Sequence, residues 1–200
     1  MDIDFRALVV IMMSAVLVNN YVLRQFLGVC PFLGVSKDLK SSVGMGLAVI
    51  FVMVMAASVT YPIQIYLLDN NGLEFMQTVV FILVIATLVQ LVEVVLKRYS
   101  PALFASLGVY LPLMTTNCAV LAVTISNINK GYTYIEALVS ALGAGIGFFL
   151  AMVIFTGVRK QVAQADPPEV FKGIPITLIS AAILSLAFFA FDGVIENLFG

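Results

Sequence analysis

The chain has 200 residues, of which 62% are hydrophobic and 10% are charged. A typical soluble domain has about 25% charged residues, so this chain has too few polar side chains to cover a water-soluble globule. Its net charge of −1 gives no reason to expect a nucleic-acid partner, and the lack of histidine excludes imidazole ligands and imidazole acid–base chemistry. The composition therefore predicts an all-α, polytopic membrane protein.

Six apolar stretches are long enough to cross a bilayer as helices, which requires about 20 residues each. They lie at about 8–29, 43–63, 75–96, 102–125, 135–158 and 174–191. The polar connections between them are short, so we expect one integral membrane domain over residues 1–200 and no soluble domain.

The distribution of lysine and arginine predicts how these spans are oriented. The first, third and fifth connections contain seven basic residues: Lys37, Lys40, Lys97, Arg98, Arg159, Lys160 and Lys172. On the opposite side there are only Arg6 and Lys130. Because cytoplasmic loops carry the excess of basic residues, we expect both termini on the outer side of the membrane.

The second half of the chain, about 98–200, resembles the first half, about 1–97. Two pairs of segments correspond: those around Cys30 and Cys118, and residues 42–46 and 143–147. Each half has three predicted spans, so the second half enters the membrane inverted relative to the first. The alternative is that small and aliphatic residues recur through composition alone.

Both cysteines lie where a helix is expected to break. Gly28 and Pro31 bracket Cys30, and proline suits the first position of a new helix. In the second half, Pro112 interrupts the run, and caps for a helix that restarts at Cys118 are available from Thr115, Thr116 and Asn117. We therefore expect helices 1 and 4 to be broken at mid-membrane, with positive helix ends directed at the breaks.

Two thiolates beside positive helix ends can bind a soft metal, although each cysteine alone can equally be an inert buried hydrophobe. Iron–sulfur clusters and zinc normally need four ligands. The chain has two cysteines, Cys30 and Cys118, so a complete site needs two more from a second subunit. A [2Fe–2S] cluster shared across an interface fits this count. A disulfide is not expected, because both cysteines lie deep in apolar sequence.

Glu93 is the other candidate for chemistry, since acidic residues within spans usually mark ion pathways. The alternative is a pair with Lys97, one helical turn further on. Two interpretations are also open for Arg24, Asn19 and Asn20. Their side chains either line a polar interior or pack against a partner subunit. Close helix packing, rather than a phosphate cradle, is expected for three glycines: Gly143, Gly145 and Gly147.

On the residues alone, an inverted-repeat secondary transporter is the leading hypothesis, because inverted repeats and broken helices are its signature. A redox subunit and a scaffold with inert cysteines are the alternatives. The sequence contains no Walker loop, dinucleotide-binding glycine motif or nucleophile–base pair. We therefore do not expect this chain itself to bind NADH or hydrolyse ATP.

Three segments, residues 17–20, 26–37 and 111–121, carry a resemblance to a known family. The chain resembles the membrane subunits that include the A-type subunit (RnfA) of the bacterial Rnf electron-transport complex. The sister group is the E-type subunit of Nqr, the sodium-pumping NADH:quinone reductase. The similarity runs along essentially the whole chain, including residues 166–168. The Asn19–Asn20 pair and Cys30–Pro31 favour the Rnf branch.

This resemblance implies a six-helix protein of the bacterial inner membrane, paired with a homologous subunit of opposite orientation (the E-type subunit in Rnf, the D-type subunit in Nqr). The pair is expected to share one [2Fe–2S] cluster, with Cys30 and Cys118 as the ligands from this chain. The complex would pass electrons between reduced ferredoxin and NAD and couple this to Na⁺ or H⁺ translocation. FMN, riboflavin and further iron–sulfur clusters are implied in other subunits, and Glu93 matches the acidic residue linked to ion passage.

Overall fold

The computed structural model describes residues 5–36, 39–72, 74–99, 117–165 and 168–190. Within these ranges the regular elements are helices, and no strand is found. The α-helices are α1 (Phe5–Met13), α2 (Val29–Val35), α3 (Leu39–Ile63), α4 (Gln77–Tyr99), α5 (Cys118–Asn129), α6 (Tyr134–Gln164) and α7 (Ile174–Phe189). A π-helical turn, Ser14–Val18, extends α1, and another, Gln64–Leu68, extends α3. Three short 3₁₀ turns are Asp69–Asn71, Glu74–Met76 and Glu169–Phe171. The prediction of an all-α protein is confirmed for the described residues.

Three of the helices are long and apolar enough to cross a membrane: Leu39–Leu68, Gln77–Val95 and Tyr134–Gln164. They coincide with the second, third and fifth predicted spans. Three shorter apolar helices, Arg6–Leu17, Cys118–Asn129 and Ile174–Phe189, fall in the other predicted spans. The helix α6 runs to Gln164, so Arg159 and Lys160 lie in a helix and not in the polar connection where they were expected.

The first predicted span is interrupted, as expected, but not at the expected residues. Helical structure stops at Val18, residues 19–28 form turns, and a new helix starts at Val29. The break was expected at residues 28–31 but begins nine residues earlier, at Asn19. Arg24, expected within a span, therefore lies in the turns, and Pro31 occupies the third position of α2 and not the first. This position still lies in the first turn, where no intrahelical N–H bond is lost.

The helices α3 and α6 form the centre of the fold and run antiparallel. The hydroxyls of Ser42 and Thr156 are hydrogen-bonded at 2.9 Å. Eight residues further along α3, Ile50 meets Gly145, where an added Cβ would lie 3.0 Å from the Ile50 Cα. Since the contact moves forward on α3 and backward on α6, the two helices have opposite directions. Their packing buries a core that includes Met45, Val49, Met53, Phe148 and Phe155.

The first helix lies against the opposite side of α6 and runs parallel to it. A Cβ added to Gly143 would lie 3.0 Å from the Met12 carbonyl oxygen, and one added to Gly147 would lie 3.0 Å from that of Val16. Small residues, and glycine above all, let two helix backbones approach this closely. The prediction that these glycines serve close helix packing is confirmed.

The helix α4 packs against the bundle along one side only. Its buried residues, Phe81, Ile85 and Val89, recur every four positions, whereas large apolar residues such as Leu83 and Leu91 are exposed. An apolar outer surface of this kind fits a helix that faces lipid.

Candidate functional site

The hydrogen bonds of the Asn20 side chain stabilise the interruption of the first span. Its side chain is 2% exposed, and its Nδ2 donates a hydrogen bond to the Gly147 carbonyl oxygen at 2.8 Å. Its Oδ1 accepts from the backbone N–H groups of Val22 and Leu23, at 3.1 and 3.3 Å. Side-chain bonds of this type replace helical backbone bonds, so the chain turns after Val18. Asn20 therefore belongs to the polar interior, which was one of the two alternatives for it.

Asn19 and Arg24 hold the outer side of the same turns. The Asn19 Nδ2 donates to the Ser14 hydroxyl at 3.0 Å, and its Oδ1 accepts from the Arg24 guanidinium at 3.0 Å. Arg24 is exposed, so its interaction with Asn19 leaves much of the side chain at the surface of this chain.

The short helix α2 carries Cys30 and is fixed at both ends. Gly28 precedes it with φ of +79°, a left-handed conformation that glycine adopts at little cost. At its C-terminal end, the Arg159 guanidinium donates to the Leu33 carbonyl oxygen at 2.7 Å and to the Ser36 hydroxyl at 2.8 Å. A cation at this end also complements the negative end of the helix dipole. Sequence reasoning missed this role; the available signal was a basic residue in the last turns of a long apolar helix.

The helix α5 carries Cys118 as its first residue. Asn117 caps it, with the Asn117 Oδ1 accepting from the Ala119 N–H at 3.0 Å. This confirms the predicted restart at Cys118 with Asn117 as cap. The other expected contributors, Pro112, Thr115 and Thr116, lie outside the described residues. Asn117 is 4% exposed, and its Nδ2 has no hydrogen-bond partner within the described part of the chain.

The starts of α2 and α5 touch each other. A Cβ added to Gly28 would lie 2.9 Å from the Asn117 Oδ1, 3.2 Å from the Ala119 Cβ and 3.1 Å from the Phe148 ring. Gly28 is two residues before Cys30, and Asn117 immediately precedes Cys118. The two helix starts that carry the cysteines are therefore brought together by a contact that admits no side chain at residue 28.

Both cysteines are unbridged and exposed on this chain. No group of three or more His, Cys, Asp and Glu side chains able to hold a metal ion is found among the described residues. The chemistry available at this place is thus that of two thiols, each within the first two residues of a helix.

Glu93 lies on α4, which carries neither cysteine. It is half-buried, and Lys97 follows it by one helical turn. Its role in an ion pathway stays a prediction.

The model of one protein family, described as "Rnf-Nqr subunit, membrane protein", matches residues 8–195. The chain belongs to the Rnf-Nqr family. It is 50% identical to the A-type subunit of the Na(+)-translocating ferredoxin:NAD(+) oxidoreductase complex of Acetobacterium woodii over 186 residues, 93% of this chain and 97% of that protein. It is 50% identical to the A-type subunit of the ion-translocating oxidoreductase complex of Syntrophotalea carbinolica over 95% of this chain and 98% of that protein. The subunit of the same name from Vibrio parahaemolyticus is 46% identical over 94% and 98%.

These similarities confirm the resemblance to the A-type Rnf subunit seen in the sequence. Several apolar helices and membership of the Rnf-Nqr family together identify a multi-pass membrane protein. All three relatives are named as A-type subunits, in agreement with the Rnf branch favoured by Asn19–Asn20 and Cys30–Pro31.

Proposed function

We propose that this chain is a membrane subunit of an Rnf-type ferredoxin:NAD⁺ oxidoreductase complex that translocates Na⁺ or H⁺. Its part is to carry electrons across the membrane by holding half of a [2Fe–2S] cluster with Cys30 and Cys118. The relatives' names supply the reaction class. The observation that carries the role of this chain is the contact between Gly28 and Asn117, because it brings the two cysteine-bearing helix starts together.

The residues at this contact fit an iron–sulfur cluster in three respects. Two thiols are exposed, so they are accessible to a partner chain. Positive helix ends favour bound thiolates and an anionic cluster. The buried Nδ2 of Asn117 has no acceptor among the described residues and can donate to sulfur. When bound, the cluster supplies reversible one-electron transfer.

A partner subunit is required because this chain has only two cysteines and no histidine. The partner we propose is a homologous membrane subunit of opposite topology, similar to the E-type subunit of Rnf, which contributes two further cysteines. Other Rnf subunits would carry the flavins and the remaining iron–sulfur clusters.

The chain's own residues set the geometry of the two thiols. Asn117 fixes the start of α5, and Gly28 allows that start to lie directly against α2. Arg159 holds the other end of α2 on α6 through Leu33 and Ser36. Since all three contacts are internal to this chain, its half of the site is preorganised before a partner is added.

We further propose that residues 1–200 form a single membrane domain of two inverted three-span repeats, about 1–97 and 98–200. The directions of the helices support this: α6, in the second repeat, runs antiparallel to its counterpart α3 and parallel to α1. Six alternating spans would give the same directions. Placement in the inner membrane with both termini outside, and an ion-pathway role for Glu93, belong to the same proposal.

The experiment is anaerobic purification of the whole complex with Cys30→Ser and Cys118→Ser variants of this chain. Each variant should lose one [2Fe–2S] EPR signal and about two iron atoms per complex while the other clusters remain. Ala122→Ser, one turn along α5 from Cys118, is the matched control and should keep both. An unchanged cluster signal and iron content in the Cys118→Ser complex would refute the proposal.

The broken first helix also fits a secondary transporter, the second candidate. It requires that the isolated chain in vesicles takes up a substrate and that replacement of both cysteines leaves uptake unchanged. Loss of the cluster in the cysteine variants, without any such uptake, would exclude it.

A further inference from the structure

We propose that residues 24–26, in the turns that follow the first helix, form a docking surface for the homologous membrane subunit, with the Phe26 ring as its anchor. Arg24, Gln25 and Phe26 are all exposed on this chain. The surface itself stands on the geometry of the turns, whereas the identity of the subunit that covers it rests on the proposed function.

The turns lie near the middle of the membrane. The Asn20 Nδ2 donates to the Gly147 carbonyl oxygen at 2.8 Å, so the turns start beside Gly147. The helix α6 has no charged residue between Glu136 and Arg159, and Gly147 lies midway between them. The Arg24 N–H donates to the Asn20 carbonyl oxygen at 2.9 Å, which keeps residue 24 close to this level. Since the hydrocarbon core is about 30 Å thick, lipid headgroups lie about 15 Å away.

Lipid is a poor neighbour for Gln25 at this depth. Hydrocarbon offers no hydrogen-bond partner, so an exposed amide that faces it loses the bonds it makes in water. The glutamine side chain is too short to reach the headgroups. The Arg24 guanidinium adds to the preference, because charged groups at this depth face protein or a water-filled cavity and not lipid. Two consecutive polar side chains therefore indicate a protein neighbour that supplies hydrogen-bond acceptors.

Phe26 combines a strained backbone with an exposed ring. Its φ is +54°, and no other residue except glycine has a positive φ among the described residues. This conformation is rare for a bulky side chain and persists where the surrounding structure imposes it. Here the Leu27 N–H donates to the Tyr21 carbonyl oxygen at 2.9 Å and closes the turn. The ring remains 53% exposed, so burial within this chain does not offset the strain.

The Phe26 ring is suited to contact another protein chain. Large aromatic side chains that fill a pocket on a partner are the usual anchors of protein interfaces, and arginine is enriched beside them. Phe26 is followed four residues later by Cys30, which is also exposed. Four residues of extended chain span at most about 14 Å, so a chain that covers Phe26 lies within reach of the Cys30 thiol.

A homologous subunit fits this surface better than a second copy of this chain. Two copies have one orientation in the membrane, so their symmetry axis runs along the membrane normal and equivalent residues lie at equal depth. Contact of the surface with itself would therefore bring the two Arg24 side chains to the same level, where like charges repel. A homologue can present a carboxylate or other acceptors there instead.

The test is photocrosslinking of the intact complex in its membrane with Phe26→p-benzoylphenylalanine, which keeps an aromatic side chain at this position. Mass spectrometry should find the adduct on the homologous membrane subunit. Adducts on lipid alone, or on a second copy of this chain, would overturn the proposal. The control is Phe51→p-benzoylphenylalanine, because Phe51 is 59% exposed and follows Ile50, which meets Gly145 near the middle of α6. It should label lipid and not that subunit.

A second variant, Phe26→Gly, separates docking from folding. Glycine adopts a positive φ at little cost, so the substitution removes the strain together with the ring. The concentration of the homologous subunit needed to saturate the tagged chain in detergent should rise by about tenfold or more, the scale expected for loss of an interface anchor. The unfolding temperature of the purified chain should not fall. A lower unfolding temperature with unchanged subunit binding would mean that the ring only stabilises the turns, and would overturn the proposal.

The cluster EPR signal, recorded on the same complexes, separates this proposal from the proposed function. Crosslinks from position 26 to the homologous subunit, together with a cluster signal that survives Cys118→Ser, would support the docking surface and refute the cluster assignment. Loss of the cluster signal in the Cys118→Ser complex, without such crosslinks, would support the cluster assignment and refute the docking surface.

Discussion

Gly28 and Asn117, 89 positions apart in the sequence, lie so close that a methyl group on Gly28 would come within 2.9 Å of the Asn117 Oδ1. Their contact brings together the starts of α2 and α5, the helices that carry Cys30 and Cys118.

Gly28→Ala should destabilise the chain and disturb the cluster signal. The substitution combines an unfavourable backbone conformation, with φ of +79°, and a clash with Asn117 and Ala119. Strain of the first kind alone costs of order 1–3 kcal/mol. Gly131→Ala is the matched control, since Gly131 has φ of +66° but no atom within 4 Å of the added Cβ. Thermal unfolding and EPR of both complexes measure the difference; equal effects of the two substitutions would show that the contact has no role.

Asn117→Asp should lower the reduction potential of the cluster proposed to be held by Cys30 and Cys118. The change keeps an oxygen cap for the Ala119 N–H but replaces the unpaired N–H donor with a negative charge, which disfavours electron uptake. Redox titration monitored by EPR gives the shift. Asn129→Asp, at the exposed end of the same helix, is the control and should leave the potential nearly unchanged. No shift in the Asn117→Asp complex would place the amide away from the sulfur atoms.

Arg159→Gln should loosen α2 and lower stability by about 1.5–3 kcal/mol, the usual contribution of hydrogen bonds from a charged donor. The guanidinium bonds to the Leu33 carbonyl and the Ser36 hydroxyl would both be lost. Hydrogen exchange in α2 should speed up. The neighbouring Lys160, which is exposed, supplies the control Lys160→Gln. Equal exchange in the two variants would contradict the anchoring role of Arg159.

Gly147→Ala and Gly157→Ala should have effects of opposite sign, although both lie within α6. At Gly147 the added Cβ would lie 3.0 Å from the Val16 carbonyl oxygen and 3.3 Å from the Asn20 Nδ2, whereas at Gly157 it meets nothing within 4 Å. Alanine in an open helix interior gains about 0.5–1 kcal/mol over glycine. The unfolding temperature should therefore fall for Gly147→Ala and rise for Gly157→Ala. A rise for both variants would mean that α1 can move away from α6 without loss of stability.

Glu93→Gln should reduce the number of ions moved per electron if the carboxylate belongs to the ion pathway. Transport and electron flow are measured together in vesicles that contain the complex. Lys97→Gln distinguishes a pathway residue from a paired one, because an effect through pairing would appear in both variants. An unchanged ion-to-electron ratio in the Glu93→Gln complex would make the carboxylate structural.

Local features of the sequence were enough to predict the cap at Asn117, the restart at Cys118 and the packing role of Gly143, Gly145 and Gly147. Each depends on residue types within one or two helical turns. The early end of the first helix could not be predicted in this way. That end depends on the hydrogen bond from Asn20 to the Gly147 carbonyl, 127 positions away. The local pattern of apolar residues does not indicate a bond between such distant positions.

The same limit applies to Arg159. In the sequence, Arg159 counts among the basic residues of the fifth connection, so it indicates only the orientation of the spans. The sequence does not reveal that α6 continues past Arg159 to Gln164. Its partners, Leu33 and Ser36, are more than 120 positions away in sequence. Pairing between distant segments, and not residue type, is therefore what the sequence left undetermined at this site.

The most direct test is a structure of the intact, anaerobically prepared complex, with the iron atoms located by their scattering. We expect iron bound jointly by the sulfur atoms of Cys30 and Cys118 and by two cysteines of a homologous neighbouring subunit. Sulfur atoms that face lipid, or that lie apart with no metal between them, would contradict it.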